Sequence, residues 1–522
     1  MGGEPHRAEG LAAPADRPAP DGIGERLAGK KILLTGATGF LGKAVLATLL
    51  RSAGDLGQLV LPMRETGSEP VRRRLQDVLD GEAFASLPGT RVAELLEEQR
   101  IRAVPCDLIG ESLGDRRDEA WADVDIAIHC AATVSFEEPL DDVLVLNAFG
   151  PRRLLEQLRA AGSEPHFVHV STAYVADRSS GVVLEEGAAH ESLAGLDPEV
   201  LLAEGRRHRE EVERESRSES LRARFARAAA RDASRRAGME AGERAEELRR
   251  RWVQTTLSRD GRRRALGLGW PDTYAMSKAL GERLLSEVST CTTVVRPTII
   301  ESALRQPAPG WLEGIKVADP LILAYASRGL THLPGHASNV IDLVPVDLVA
   351  NACVVASAHP PDSELRAIAI GSSARNPLAI GRLATEIREF FLREPLLARN
   401  GSPIEIGTLK FVERRKALRR TVRRERLAAA AARAAMSSPV HFPQERMLRG
   451  NRALAERVTR MVKIYGAYTE LDCVFDDANA CALADSLADA DRAELSFDTA
   501  AIDWDEYLQR IHLPQVRRLA SS

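Results

Sequence analysis

The sequence predicts an α/β protein: a Rossmann-like, doubly wound parallel sheet with a helical insertion and a mostly helical C-terminal domain. Three observations lead there. Short apolar runs alternate with segments of helical patterning, as parallel strands joined by crossover helices do. The first run opens directly into a glycine-rich turn, Gly36-Ala37-Thr38-Gly39-Phe40-Leu41-Gly42. The rhythm is then broken twice, by an Arg/Glu/Ala-rich stretch in mid-chain and by a shift of composition after Gly371.

The first of these elements is a tail. Residues 1–28 are rich in Pro, Gly, Ala and charge and contain no continuous apolar stretch, so they read as disordered rather than as a secretory signal. Residues 29–372 read as the cofactor-binding domain. Its strands are expected at Ile32–Leu34, Leu56–Met63, Ile101–Cys106, Asp125–Cys130, His166–Thr172, Thr292–Pro297 and Leu365–Gly371. Between the fifth and sixth, residues from about 185 to 265 read as two or three inserted helices, a solvated arm laced with ion pairs. Residues 373–522 form the C-terminal helical region, which includes a basic stretch from Phe411 to Ala435. A helix of that kind is exposed, or touches anionic lipid or an acidic carrier protein.

Composition narrows the function classes. With 522 residues there is room for two or three domains. The net charge of -4 gives no global pull toward nucleic acid. Six scattered cysteines form no CxxC pair and no Cys/His cluster with zinc spacing, which fits a reduced compartment. No apolar run is long enough to span a bilayer. The expected location is therefore cytoplasmic, with any membrane contact peripheral.

The glycine turn follows a strand and opens a helix, the context in which glycines let backbone approach a pyrophosphate and the helix N-terminus meets its charge. Thr35, Gly36, Thr38, Gly39, Phe40, Leu41 and Gly42 are the loop's candidate cofactor contacts. At the end of the second strand, where an acidic residue would hold the ribose of NAD, stands Arg64. An arginine there matches a 2′-phosphate, so the expected cofactor is NADPH.

The chemistry is expected in three side chains. Tyr274 and Lys278 lie four apart in DTYAMSKALGE, on one face of a helix. Ser171 and Thr172 end the fifth run, at the strand edge that faces the ligand crevice. The hydroxyl of Thr172 would hold a carbonyl oxygen, Tyr274 would protonate it, and Lys278 would lower the phenol from its reference of about 10 and hold the nicotinamide ribose. Asn147 would hold a water feeding that proton relay.

These motifs together resemble the extended short-chain dehydrogenase/reductases. TGATGFLGKAVL, FVHVSTAYV, GWPDTYAMSKALGERLL, VVRPTIIESALRQPAPGWLEGIKVADPLI, VIDLVPVDLVAN, YGAYTELDCVFDDANACALADSL and IDWDEYLQRIHLP resemble, more narrowly, the fatty acyl-CoA reductases of the bacterial, alcohol-forming kind. The resemblance covers roughly Lys30 to Leu513. It implies that Thr172, Tyr274 and Lys278 are catalytic and that Asp107 with Leu108 meets the adenine. It also implies that Ala131 and Ala132 line the cofactor and that Pro297 lies by the carboxamide. Cys130 would be filler, because the family's chemistry needs no acyl-enzyme.

The reaction so implied is NADPH-dependent reduction of a long-chain acyl-CoA to aldehyde and on to the primary alcohol, with release of coenzyme A. Carrier-protein thioesters are the other possible donors. Apolar residues of Pro320–Leu330 would line the acyl channel or simply pack. Three rivals stand beside this: a thioester reductase that stops at the aldehyde, a nucleotide-sugar epimerase or dehydratase on the same fold, and a redox sensor that binds NADPH without turnover. The intact Thr/Tyr/Lys set argues against the last.

Overall fold

The computed structural model describes residues 22–521, apart from 66–69, 111–112, 116–117, 177–179, 186–192, 194, 234–239, 317, 399 and 438–444. All seven expected apolar runs are strands of one sheet. They are β1 (Lys31–Thr35), β2 (Gln58–Met63), β3 (Ile101–Pro105), β4 (Ile126–His129), β5 (His166–Val170), β6 (Thr292–Pro297) and β7 (Leu365–Ile370). Their spatial order is β7-β6-β5-β4-β1-β2-β3, and every pairing is parallel. Strands covered on both faces are largely apolar and buried along their length, and β4, β5 and β6 are buried at every residue, His129, His169 and Arg296 included. The order reverses between β1 and β4. Ligands of such sheets bind in the crevice at the carboxyl ends of the two strands flanking that reversal.

The helices that matter for the site follow in chain order. α1 (Phe40–Ser52) leaves the glycine turn. The insertion supplies α2 (Pro198–Ser216), α3 (Glu219–Ala233) and α4 (Ala241–Gly267). α5 (Thr273–Ser286) carries the Tyr/Lys pair, and α6 (Asp319–Ala326) starts on a Pro at its second position. α7 (Val346–Ser357) is buried at every residue. Beyond β7, α8 (Arg414–Ser437) and α9 (Glu445–Tyr465) pack as a hairpin.

Two expectations change. The tail does not run to residue 28 as disordered chain: Ile23–Leu27 is a short helix whose Ile23 and Leu27 are core residues, and the Ile23 amide donates to Asp491 at 2.7 Å. Residues 1–21 lie outside the described residues. The inserted helices are laced with ion pairs, as expected, with Arg249 on Glu213 at 2.6 Å and on Glu246 at 2.8 Å. They are not a free arm, however. Val253, Leu257 and Ala265 of α4 are buried, and Arg209 of α2 grips Asp141 and Asp142. An apolar stripe hidden among arginines anchors the insertion beside α5.

Three short parallel pairings were not legible in the sequence: Ile299–Glu301 with Leu343–Pro345, His332–Pro334 with Lys410–Val412, and Ser180–Val183 with Asp472–Phe475. The last two tie C-terminal chain to the sheet-bearing part. One continuous core runs from Ile23 to Val516.

Candidate active site

The cofactor cradle is built by backbone proximity. Gly36 has φ +74°, and a Cβ there would sit 2.7 Å from the Ala131 nitrogen just past β4. A Cβ on Gly42 would fall on the Gly36 carbonyl. Only glycine fits either place. α1 begins with Gly39 as N-cap and no side-chain cap, so its first amides remain available to an anion. Phe40 packs on Trp311 with centroids 4.9 Å apart, which sets the outer wall of the loop. Leu41 lines the cavity beside it, and Thr38 is half-buried in the turn.

The neighbouring candidates take supporting positions. Thr35 is buried, with its hydroxyl 2.8 Å from His129 Nδ1 and accepting from the Ala131 amide at 3.3 Å, so it ties the ends of β1 and β4 together. Ala132 lines the cavity. Arg64 is exposed directly after β2. Asp107 closes a turn after β3 by accepting from the Ile109 amide at 3.0 Å, and the Leu108 carbonyl accepts from Arg153 at 3.1 Å. Lys43 pairs with Glu313 at 2.5 Å.

Tyr274 and Lys278 both face a cavity of ≈ 390 Å³ that borders the glycine loop. Its walls also include Thr172, Ser171, Pro297 and Cys130. Thr172 lies just beyond β5, accepts from the Tyr174 amide and donates to the Pro297 carbonyl, both at 3.4 Å. These are weak bonds, easily exchanged for a ligand oxygen. The Ser171 hydroxyl is buried without a hydrogen-bond partner. A glycine cradle, uncapped helix amides and an orphaned hydroxyl on one cavity fit a nicotinamide dinucleotide.

Electrostatics corrects one expectation. Burial, helped by the Asp272 carboxylate, pushes the Tyr274 phenol above its ordinary range, with only a hydrogen bond to Thr172 opposing. Lys278 does not draw it down. Its Nζ donates to the Val170 carbonyl at 2.7 Å, and burial lowers the ammonium to about 8. Removing a charge from water costs more here than the neighbouring groups return. Tyr274 is therefore held protonated at neutral pH. Cys130 is likewise kept a thiol, raised to about 12 by burial, which suits packing rather than nucleophilic attack.

Asn147 is held by protein partners on both sides. It sits in a π-helical turn, Leu144–Phe149. Its side chain accepts from the Thr133 amide and donates to the Thr133 carbonyl, both at 3.0 Å, and donates to Ser277 Oγ at 3.1 Å. Ser277 in turn donates to the Tyr274 carbonyl at 2.8 Å. Asn147 thus joins the segment after β4 to α5.

Several side chains around the cavity were not identified from sequence. Asp272 caps α5 by accepting from the Ala275 amide at 2.9 Å, and accepts from the Tyr468 hydroxyl at 2.6 Å. An acidic residue just before a helical segment is a capping signal, so that half was available. Phe136 meets Tyr274 edge-on at 5.6 Å, and also packs on Tyr465 and Tyr468. Tyr174 meets Tyr468 at 5.0 Å. This aromatic wall comes from three distant stretches and leaves no local signal.

The chain is similar to known proteins along most of its length. The family profile described as Male sterility protein, NAD_binding_4, matches residues 34–353. The alcohol-forming fatty acyl-CoA reductase of Simmondsia chinensis is 30% identical over 531 residues, covering 94% of this chain and 97% of its own. Fatty acyl-CoA reductase 2, chloroplastic, of Arabidopsis thaliana is 29% identical, covering 95% and 79%. Among solved structures, the terminal R domain of the myxalamid PKS-NRPS pathway superposes with a TM-score of 0.56 at 17% identity, over 94% of this chain and 92% of that one. The reductase domain of a Mycobacterium tuberculosis non-ribosomal peptide synthetase gives 0.51 at 17% identity, over 96% and 94%. The structural likenesses carry the fold alone. The matched profile and the Simmondsia relative, aligned along nearly the whole chain, make this protein a member of the fatty acyl-CoA reductase family.

Proposed function

We propose that the protein reduces long-chain fatty acyl-CoA with NADPH, through the aldehyde to the primary alcohol, and releases coenzyme A. The observation that carries this reading is the meeting of Thr172, Tyr274 and Lys278 on one cavity that joins the glycine cradle to an aromatic and aliphatic wall. Ile299, Ile300, Leu312, Leu321 and Ile341 extend that wall and suit an acyl chain. Leu321 is the member of the expected Pro320–Leu330 channel that reaches it.

The bound nicotinamide would supply hydride. Thr172 and Tyr274 would hold the thioester oxygen between two hydroxyls, and Tyr274 would give it a proton as negative charge develops. A phenol raised by burial suits a donor, since it stays protonated until the oxygen demands the proton. Lys278, lowered to about 8, is poised to restore that proton. The hemithioacetal would then lose coenzyme A as thiol, and the aldehyde would find the same two hydroxyls for a second reduction. Exposed Arg64 at the end of β2 favours the 2′-phosphate form of the cofactor.

The test is release of free thiol from palmitoyl-CoA by the purified chain with NADPH. Thiol release that disappears in Tyr274→Phe supports the reading. No thiol release from any acyl thioester would overturn it.

A further inference from the structure

Two family-like sequence blocks, ESALRQPAPGW and IDWDEYLQRIHLP, converge on a cluster the reduction does not use. Glu301 follows β6 on the strand Ile299–Glu301, Asp319 is the first residue of α6, and His512 arrives from the C-terminal chain. All three are at most 1% exposed. One ligand atom from each lies within 4.8 Å of the other two.

The donor set does not balance. His512 Nδ1 lies 3.0 Å from Ser302 Oγ, and the Ser302 carbonyl accepts from the Tyr507 hydroxyl at 2.7 Å. That serine fixes the imidazole and leaves Nε2 aimed at Asp319 Oδ1, 3.4 Å away, and at Glu301 Oε2, 3.8 Å away. Both His512 Nε2 and Asp319 Oδ1 are buried without a hydrogen-bond partner. Among the described residues neither carboxylate pairs with an arginine or lysine. Each carboxylate keeps one backbone donor, the Ala318 amide to Glu301 at 3.3 Å and the Lys316 amide to Asp319 at 3.1 Å, and the remaining buried lone pairs, turned toward one another, suit a shared cation.

We propose that Glu301, Asp319 and His512 bind one divalent transition-metal ion of the zinc type. One imidazole and two carboxylates are a three-ligand set that leaves a fourth position. Glu301 also lines the acyl cavity, which gives the ion an entry path. The Ser302 contact is the outer-shell hydrogen bond that metal-ligating histidines carry. The ion would clasp the C-terminal chain to the wall of the cavity. This inference does not depend on which thioester is reduced.

The test uses the full chain, stripped with a chelator, desalted and titrated with Co²⁺ alone. One equivalent should bind, with visible absorption bands that Zn²⁺ abolishes. His512→Gln should remove the bands. Should that variant not fold, Ser302→Ala keeps all three ligands and should weaken Co²⁺ binding roughly 10–100-fold. Cys130→Ser should change nothing, which excludes a thiolate site. A wild-type chain that binds neither Co²⁺ nor Zn²⁺ saturably would overturn the proposal. So would binding unchanged in Ser302→Ala and in any folded His512→Gln.

Discussion

The ammonium of Lys278 donates to the Val170 carbonyl at 2.7 Å, so the lysine of the Tyr/Lys pair is tied to the end of β5. Both groups of the pair are buried, and burial moves each toward its neutral form: the phenol upward and the ammonium down to about 8. The phenol is thus kept protonated rather than held as a phenolate, which is what the proposed proton transfer requires.

Tyr274→Phe removes the donor and keeps the ring that meets Phe136 edge-on. Turnover should fall by about 10²–10⁴-fold while NADPH affinity stays nearly unchanged. Steady-state kinetics together with a fluorescence titration of NADPH check both halves. Retained turnover would remove Tyr274 as the acid.

Gly42→Ala places a methyl group on the Gly36 carbonyl. The loop and α1 must separate, at a cost of about 1–3 kcal/mol. Cofactor affinity should drop with it, and thermal stabilisation by added NADPH should be lost. Unchanged NADPH binding would show that the loop is not the cradle.

Asp272→Ala removes the cap of α5 and strands the Tyr468 hydroxyl. The cap is worth about 1 kcal/mol and the stranded hydroxyl about 1–3 kcal/mol. Chemical denaturation should show a loss within their sum. Tyr468→Phe should cost less, because Asp272 keeps the Ala275 amide.

His166 carries a pH dependence with a definite sign. Burial lowers it to about 4, aided by Arg366 and His359 and opposed by its bond to the Ser357 carbonyl. Below pH 6.5 the unfolded chain takes up a proton that the folded chain refuses until about pH 4. Stability from this group is therefore lost as pH falls from 6.5 to 4, by about 1.4 kcal/mol per pH unit. Glu185, raised to about 7 by burial, acts in the opposite sense between 4.5 and 7. Subtracting the pH–stability curve of His166→Gln from that of the wild type isolates the histidine. A flat difference would contradict the assignment.

What was legible in the sequence was local. The seven strands could be read because continuous apolar runs of strand length mark a sheet buried on both faces. The glycine turn and the Tyr/Lys pair could be read because their chemistry is written within a few residues. The aromatic wall could not, because Phe136, Tyr174 and Tyr468 meet only through packing of the C-terminal chain on α5. The side-chain partners of Asn147 were not legible because Thr133 and Ser277 lie 14 and 130 positions away. The lysine's effect on the phenol was misread because spacing shows proximity along a helix, not the carbonyl beneath it or the loss of water around both groups.

The most direct test of the account is stoichiometric. The purified chain is incubated with palmitoyl-CoA and excess NADPH, NADPH loss and free thiol are followed together, and the product is identified. The account predicts two NADPH consumed for each thiol released, with hexadecanol as product. One NADPH per thiol with accumulating aldehyde would contradict it and place the end of the reaction at the first reduction.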